Sequence, residues 1–293
     1  MSLFQGVGVA VVTPFQGSDV DFEAFGRLID FHIQGGTKAI IACGTTGESA
    51  TLSEEEKLAI FDYCVKYSQG RIQIIAGTGS NNTAQSVSLS VRAEALGVDG
   101  LLLVTPYYNK PSQLGLIAHY EAIANAVNIP IILYNVPSRT SVNLLPESVQ
   151  VLANHPMIQG IKEASGDIEQ ITLLSTMIPS DFYLYSGNDD QVFPVLELGG
   201  KGVISVTSNI APSLVAAPIE IYFQGQIAQA KQEFERLLPL HQAMFIETNP
   251  VPVKTILPWL GYSAGGVRLP LVMMTSDKEP ALRAITTRFG VTS

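Results

Sequence analysis

Eight short apolar runs, each followed by a turn and a segment with helical spacing, constrain the fold of this chain more than any other feature. The runs are continuously apolar and do not alternate with polar residues, which is typical of parallel strands that are covered on both faces. No change of composition between them marks a linker. The predicted strands are residues 7–13, 39–43, 72–76, 100–105, 130–134, 158–162, 182–186 and 202–206.

The segments between these runs predict helices with recognisable ends. One helix, residues 53–67, begins with Ser53 and Glu56 in a capping-box arrangement, in which each residue satisfies a free backbone N–H group. Another, residues 82–96, begins with Asn82, a favoured N-cap residue. The other predicted helices are residues 22–32, 112–127, 146–153, 168–177, 190–198 and 212–223.

Eight strand–helix units predict an α/β fold of the closed (β/α)8 TIM-barrel class. Such barrels are usually about 250 residues long, and this chain has 293 residues. An open doubly wound sheet is the alternative, but it is more often shorter or carries a second domain. The last part of the chain has helical segments without strand runs. We therefore predict a catalytic barrel over residues 1–224 and a C-terminal helical extension over residues 225–293.

Charge and composition exclude several classes of protein. The net charge is −9 without a basic run, which argues against nucleic acid or an anionic membrane as a partner. No stretch approaches the roughly 18 apolar residues of a membrane span, and the segment from Met1 to Gly6 has no signal-peptide pattern. Cys43 and Cys64 do not make a disulfide framework. We therefore expect a cytoplasmic protein.

Lys162 is the lysine whose position best fits a catalytic role. The active site of such a barrel lies at the carboxyl ends of the strands, and Lys162 ends the predicted sixth strand. A desolvated neutral amine attacks a ketone to give a Schiff base. The alternative is an ion pair with Glu163, although successive strand residues point to opposite faces. Lys110 fits a surface charge, Lys57 an exposed helix position, and Lys254 a place in the tail.

Two loops on the same side of the barrel carry further candidates. Thr45 and Thr46 lie between glycines after strand two, where hydroxyls and backbone N–H groups suit a carboxylate; an ordinary glycine-rich turn is the alternative. Tyr134 ends strand five and can pass a proton. Arg139, beyond it, fits either a bidentate partner for a carboxylate or an ordinary surface residue.

Other reactive residues have structural interpretations. Glu48 fits a carboxylate that leads a helix better than a general acid, and Cys43 fits a small buried residue because no histidine is placed as its base. The paired aromatics Tyr107 and Tyr108 are more typical of packing or of an interface. The four histidines lack metal-ligand spacing, and the motif that begins at Gly77 lacks the third glycine of a dinucleotide fingerprint. We therefore expect an amine to activate a ketone without a metal.

Together, these motifs resemble the superfamily of lysine-dependent, pyruvate-using class I aldolases, to which N-acetylneuraminate lyase and the dihydrodipicolinate synthases belong. The resemblance spans nearly the whole chain. Arg139, Tyr108 and the threonine pair at positions 45 and 46 are similar to the synthase branch and not to the sialic acid lyase. The matching motifs occupy residues 44–48, 105–109, 134–140, 160–163, 186–189, 202–205 and 249–254.

The resemblance implies a condensation of pyruvate with L-aspartate 4-semialdehyde, on the route to diaminopimelate and lysine. Lys162 would form the imine with pyruvate and then the enamine. Thr46, Gly187 and Ile204 would hold the pyruvate carboxylate, and Arg139 the carboxylate of the semialdehyde. No cofactor and no metal would be required, because the lysine–pyruvate imine supplies the chemistry.

The resemblance also implies a proton relay that two subunits share. Tyr134, Thr45 and Tyr108 would form the relay, with Tyr108 reaching across a tight dimer interface into the neighbouring site. Members of the superfamily are usually tetramers built from two such dimers. The expected partners are therefore two small substrates and further copies of this chain.

A regulatory pocket at that dimer interface is the last implication. Where lysine-inhibited relatives have an acidic residue to pair with the effector's ammonium group, this chain has Gln85, and Glu54 and Lys57 lie at neighbouring positions. A neutral amide loses the charge-assisted bond, and Lys57 adds a like charge. We therefore expect L-lysine to inhibit weakly or not at all. The matching positions are Ser49, Ala50, Asn81, Gln85 and Tyr107.

Three functions compete at this point. The first is the synthase, and the second is a sibling aldolase that cleaves a sugar acid to pyruvate. Turnover of N-acetylmannosamine would distinguish the second from the first. The third is a barrel that binds keto acids without catalysis, which the complete set of candidate residues disfavours.

Overall fold

The eight predicted strands form a closed parallel barrel in the computed structural model, which describes residues 3–292. Strand pairing follows the sequence, and the first strand closes the ring by pairing with both the second and the last. The predicted TIM barrel is therefore confirmed. The strands are β1 Gly6–Ala10, β2 Ala39–Ala42, β3 Gln73–Gly77, β4 Gly100–Val104, β5 Ile131–Asn135, β6 Ile158–Glu163, β7 Tyr183–Ser186 and β8 Gly202–Ser205.

One helix follows each barrel strand, as predicted, and three more form the C-terminal extension. A small hairpin of Phe15–Gln16 with Asp19–Val20 follows β1, and a single helical turn, Pro137–Thr140, follows β5. The barrel helices are α1 Phe22–Gln34, α2 Glu54–Ser68, α3 Thr83–Ala95, α4 Gln113–Ala124, α5 Pro146–Leu152, α6 Ile168–Met177, α7 Val192–Glu197 and α8 Pro212–Phe223; the extension has α9 Ile227–Ala243, α10 Val251–Ile256 and α11 Glu279–Arg288.

The predicted helix starts are confirmed where the sequence has a capping residue. Ser53 and Glu56 form the reciprocal capping box of α2, and the Asn82 side chain accepts hydrogen bonds from the first turn of α3. The predicted first strand is too long. The backbone N–H of Val12 donates to the side-chain oxygen Oδ1 of Asn209 at 3.0 Å and not to the backbone of a neighbouring strand, so the strand has ended before this residue.

Strand alternation divides the core into an interior and an outer layer. In β5, Ile132 and Tyr134 belong to the interior cluster, whereas Ile131 and Leu133 pack against the surrounding helices. Lys162 lies opposite Tyr134 in the register of β5 and β6. Because paired residues of neighbouring strands project to the same side, Lys162 faces the barrel interior.

The C-terminal extension packs directly on the barrel. Val12, Leu28 and Ile210 of the barrel share one apolar cluster with residues of α9, α10 and α11. The predicted boundary after residue 224 falls between α8 and α9. Met1, Ser2 and Ser293, at the two ends of the predicted segments, lie outside the described residues. No helix within residues 3–292 is long and apolar enough to cross a membrane.

Three buried histidines make the fold sensitive to acid. Burial lowers the pKa of His32 to about 3 and that of His119 to about 4, and it also lowers the pKa of His241. In the unfolded chain a histidine titrates near about 6.5. Between these values the unfolded chain binds more protons than the folded chain. The stability that the neutral histidines contribute is therefore complete above about pH 6.5 and is lost as the pH falls toward about 4.

We expect a His32→Leu variant to lose less stability on acidification than the unchanged protein. The difference in slope should approach about 1.4 kcal/mol per pH unit below the unfolded value, since one proton fewer is taken up on unfolding. Urea denaturation between pH 7 and pH 5 measures it. A His155→Gln variant, changed at a histidine that is only partly buried, is the control. Identical slopes for His32→Leu and the unchanged protein would contradict the assignment.

Candidate active site

Lys162 lies at the carboxyl end of β6 in a desolvated position. The residue is 4% exposed, and its Nζ lies 4.3 Å from the centroid of the Tyr134 ring. Glu163 lies on the opposite face, where it accepts hydrogen bonds from Asn135 Nδ2 at 3.0 Å and from the Ser165 N–H at 2.6 Å. Burial raises the pKa of Glu163 in spite of these bonds. Lys162 and Glu163 therefore do not form the ion pair that was the alternative to a catalytic role for Lys162.

A cavity of about 580 Å³ opens at this end of the barrel. Tyr134, Thr45 and Arg139 line it, so the structure brings three of the predicted site residues together. Lys162 is not itself a lining residue, but it contacts the ring of Tyr134, which is. The hydroxyl-bearing residue thus lies between the buried amine and the space that a substrate can occupy.

The loop after β2 carries the predicted threonine pair. The Thr46 side chain is buried, and its Oγ1 accepts a hydrogen bond from Asn249 Nδ2 at 2.9 Å. The hydroxyl of Thr13 donates to the carbonyl of Gly47 at 2.7 Å and holds the same loop from the β1 side. Thr46 therefore has one acceptor position in use, while its own proton remains free for a ligand oxygen.

Of two lysines placed from the sequence, one position is confirmed and the other is wrong. Lys254 lies in the C-terminal extension as predicted, and there it is fully buried, with its Nζ 2.6 Å from Glu48 Oε1. Burial lowers the pKa of Lys254 to about 8, although Glu48 opposes the shift. Lys57, placed on an exposed helix face, is half-buried and lines the cavity, where burial lowers its pKa. Glu48 has the structural role predicted for it.

The missed lysine had a signal in the sequence. Lys254 lies in a mainly apolar stretch from Val251 to Ile256, much as Lys162 ends an apolar strand. Because the extension has no predicted strands, its sequence pattern does not predict at which end of the barrel it packs. Asn249, which contacts both the cavity and Thr46, has no comparable signal apart from the resemblance of residues 249–254.

Gly187 directly follows β7, and Ile204 lies on β8. The N–H of Gly187 donates to the carbonyl of Glu163 at 2.7 Å. A Cβ at this position would lie 2.5 Å from Ala164 Cβ, so a side chain here would collide with the neighbouring strand end. Ile204 is buried in the same interior cluster as Tyr134. Neither residue lines the cavity, and their role toward a carboxylate stays a prediction.

Tyr108 does not join the cavity of its own chain. It is 89% exposed, and its backbone has the left-handed φ of 71°, which is unfavourable for a bulky residue. Among the positions predicted for an effector, Asn81 also stays outside the cavity, and its carbonyl accepts from Asn109 Nδ2. The other four line the same cavity as Tyr134, so the two predicted sites are continuous; they are Ser49, Ala50, Gln85 and Tyr107.

The remaining candidates have the structural roles that the sequence indicates. Cys43 is buried, and burial raises the pKa of its thiol to about 12, which keeps the sulfur protonated. A Cβ at Gly77 would lie 2.4 Å from the carbonyl oxygen of Cys43, and one at Gly79 would lie 2.4 Å from the nitrogen of Val104. These glycines therefore permit close strand packing. Residues 3–292 contain no group of three or more His, Cys, Asp or Glu side chains placed to hold a metal.

Fold and site define a class of protein. The fold is a (β/α)8 barrel, and a buried lysine at a strand end lies against a tyrosine that lines the cavity, which is the arrangement of a class I aldolase. A sequence profile of the Dihydrodipicolinate synthetase family matches residues 3–288, and the chain belongs to this family.

Individual relatives support the same assignment. The chain is 49% identical over 292 residues to 4-hydroxy-tetrahydrodipicolinate synthase of Thermoanaerobacter sp. (strain X514), covering 99% of this chain and 98% of that protein. Dihydrodipicolinate synthase from Aquifex aeolicus superposes with a TM-score of 0.96 at 42% identity over 99% of both chains. The chloride-inhibited enzyme of Acinetobacter baumannii, solved with pyruvate, has a TM-score of 0.96 at 41% identity, over 99% of this chain and 100% of that one.

These matches confirm the predicted function. The chain is an enzyme of the lyase class, a 4-hydroxy-tetrahydrodipicolinate synthase of lysine and diaminopimelate biosynthesis. The sugar-acid aldolase is not favoured, because curated relatives at this identity and coverage are named as the synthase. The roles of individual residues are a separate matter and depend on the geometry of the site.

Proposed function

We propose that this protein condenses pyruvate with L-aspartate 4-semialdehyde through an imine on Lys162. The observation that carries the proposal is the burial of the Lys162 amine against the ring of Tyr134, at the edge of the cavity. A lysine amine in such a position can attack the carbonyl carbon of a ketone to give a Schiff base.

The amine adds to the keto carbon of pyruvate, and water leaves as the imine forms. Loss of a methyl proton from the imine gives the enamine, whose carbon attacks the aldehyde carbon of the second substrate. The amino group of that substrate then adds to the imine carbon, closes the ring and releases Lys162. No cofactor and no metal enters this sequence, because the imine itself withdraws the electrons.

Protons move through hydroxyl groups in this proposal. The ring of Tyr134 contacts the Lys162 amine, and Tyr134 lines the cavity together with Thr45. The third relay member, Tyr108, would come from a second copy of the chain. Its almost complete exposure and strained backbone support such a role, since an isolated chain gains nothing from holding a tyrosine that way. The proposed assembly is a homotetramer, a dimer of dimers, and the proposed location is the cytoplasm.

Two sets of groups are proposed to bind the substrate carboxylates. The pyruvate carboxylate would accept a hydrogen bond from the hydroxyl of Thr46 beside the strand ends at Gly187 and Ile204. The carboxylate of the semialdehyde would bind Arg139, whose Nη2 has only a long contact of 3.5 Å to the carbonyl of Asn249. A guanidinium that lines a cavity with most of its donors free suits bidentate binding.

A coupled assay tests the proposed function. The protein is incubated with pyruvate and either L-aspartate 4-semialdehyde or N-acetylmannosamine, and the product of the first pair is followed through a dependent reductase. We expect turnover with the semialdehyde alone. Turnover only with N-acetylmannosamine would overturn the choice of aldehyde, whereas no turnover and no pyruvate adduct would overturn the aldolase chemistry itself.

L-Lysine is expected to inhibit the enzyme weakly or not at all. Gln85 and Lys57 line the part of the cavity where an ammonium group would need an acidic partner. In a Gln85→Glu variant, the lysine concentration that gives half-inhibition should fall by about tenfold or more, because a hydrogen bond to a charged group contributes about 1.5–3 kcal/mol. Initial rates over a range of lysine concentrations measure both. Half-inhibition of the unchanged enzyme at sub-millimolar lysine would contradict the prediction.

A further inference from the structure

The buried ion pair between Glu48 and Lys254 joins the C-terminal extension to the loop after β2. Both side chains are almost completely buried, and Lys254 Nζ lies 2.6 Å from Glu48 Oε1. The ammonium also donates to the carbonyl of Gly266 at 2.8 Å and lies 4.1 Å from the centroid of the Phe15 ring. Since its contacts are all occupied by protein groups, Lys254 is not available as a second nucleophile.

Glu48 lies at the point where the loop turns. Its backbone is left-handed, with φ of 56°, and it follows Thr46 by two residues. The other carboxylate oxygen of Glu48 accepts the backbone N–H of Arg268 at 2.9 Å. The side chain of Arg268 donates to the carbonyl of Thr51 at 3.0 Å, farther along the same loop. The extension therefore holds this loop on both sides of its turn.

The same extension also reaches the threonine itself. Asn249 Nδ2 donates to Thr46 Oγ1 at 2.9 Å, and Asn249 lies on the same segment as Lys254. Contacts at Thr46, Glu48 and Thr51 leave the loop little freedom to shift. Two buried charges are not needed for stability, because a well-packed apolar pair of similar volume is often as stable. An ion pair with defined partners instead selects one position of the loop.

We propose that Lys254 is a positioning residue for pyruvate: through Glu48, it holds the loop so that the Thr46 hydroxyl meets the carboxylate of pyruvate bound at Lys162. The inference rests on the proposed function, in which Thr46 binds that carboxylate. In this proposal the C-terminal extension helps to position pyruvate, although it is far from Lys162 in the sequence.

Steady-state kinetics of Lys254→Met and of the double variant Glu48→Gln/Lys254→Met test the proposal. If the Thr46 hydroxyl no longer meets the carboxylate, a hydrogen bond to a charged group is lost, so we expect the KM for pyruvate to rise by about tenfold or more. The kcat is expected to fall as well, because Thr45 of the proposed relay lies on the same loop, whereas the KM for the semialdehyde, which binds at Arg139 outside this loop, should change by less than about threefold. The double variant removes both charges and so avoids the unpaired buried carboxylate that destabilises the single one.

Controls separate positioning from folding. Lys278→Met removes a partly exposed ion pair with Glu247 in the same extension and should leave all three constants unchanged. Borohydride trapping of pyruvate counts the competent sites in each preparation. A folded double variant with an unchanged KM for pyruvate would overturn the proposal. A loss of activity that is fully explained by a smaller fraction of sites able to trap pyruvate would also overturn it. If the unchanged enzyme traps no pyruvate, the proposed function fails instead.

Discussion

A Lys162→Met variant is expected to lose at least about 10⁴-fold in kcat with pyruvate and L-aspartate 4-semialdehyde, since removal of a covalent nucleophile leaves only binding and the remaining catalytic groups. Methionine has a similar volume and no charge, and it can occupy the space against Tyr134. The fold should therefore be retained, with a melting temperature equal to or above that of the unchanged protein. The measurement is the coupled assay beside a thermal denaturation curve.

The matched control is Lys201→Met, which changes a lysine at the other end of the barrel, just before β8. Its kcat should stay within about twofold of the unchanged enzyme, because Lys201 is only partly buried and lies away from the site. A Lys162→Met variant that is folded and retains a tenth or more of the activity would show that the amine is not the nucleophile.

A Tyr134→Phe variant is expected to lose about 10²- to 10⁴-fold in kcat, the usual range for a positioned general acid or base. The variant keeps the ring that Lys162 contacts and removes only the hydroxyl. Because the ring buries the amine, pyruvate should still be trapped on Lys162, although more slowly. The rate of trapping and the overall turnover separate imine formation from the later proton transfers.

Tyr183→Phe provides the comparison for this variant. Tyr183 lies at the start of β7, at the opposite end of the barrel from the cavity, and loses the same hydroxyl. Its activity should remain within about threefold of the unchanged enzyme. If Tyr134→Phe behaves in the same way, then the hydroxyl of Tyr134 does not carry the proton and the relay needs another member.

The fold and the principal residue of the site could be predicted because each depends on a local pattern. Continuous apolar runs identify parallel strands without knowledge of their neighbours. Lys162 stands out because it is a charged residue at the end of such a run. Strand alternation then predicts that Lys162 and Glu163 lie on opposite faces, and the register of Lys162 with Tyr134 agrees with it.

The contacts that hold the loop after β2 could not be predicted in this way. Glu48 and Lys254 are far apart in sequence, and they meet only because the extension folds back over the mouth of the barrel. No periodicity within the extension reports that packing. The same is true of Gln85 and Tyr107, since only the folded chain shows that they line the same cavity as Tyr134.

The role of Tyr108 could not be predicted from the residue pattern for a different reason. A residue that acts in a neighbouring subunit is exposed in its own chain, so neither sequence pattern nor a single folded chain shows its partners. The division of the chain at residue 224 likewise remains a prediction. The shared cluster of Val12, Leu28 and Ile210 with the extension shows that the two parts pack as one core.

Mass spectrometry after reduction of the protein with borohydride in the presence of pyruvate tests the central claim most directly. The account predicts one reduced pyruvate adduct, on the peptide that contains Lys162, and none when pyruvate is omitted. Lys254 and Lys57, two lysines whose pKa burial lowers, serve as internal comparisons. An adduct on either of them with none on Lys162, or no adduct at all, would contradict the account.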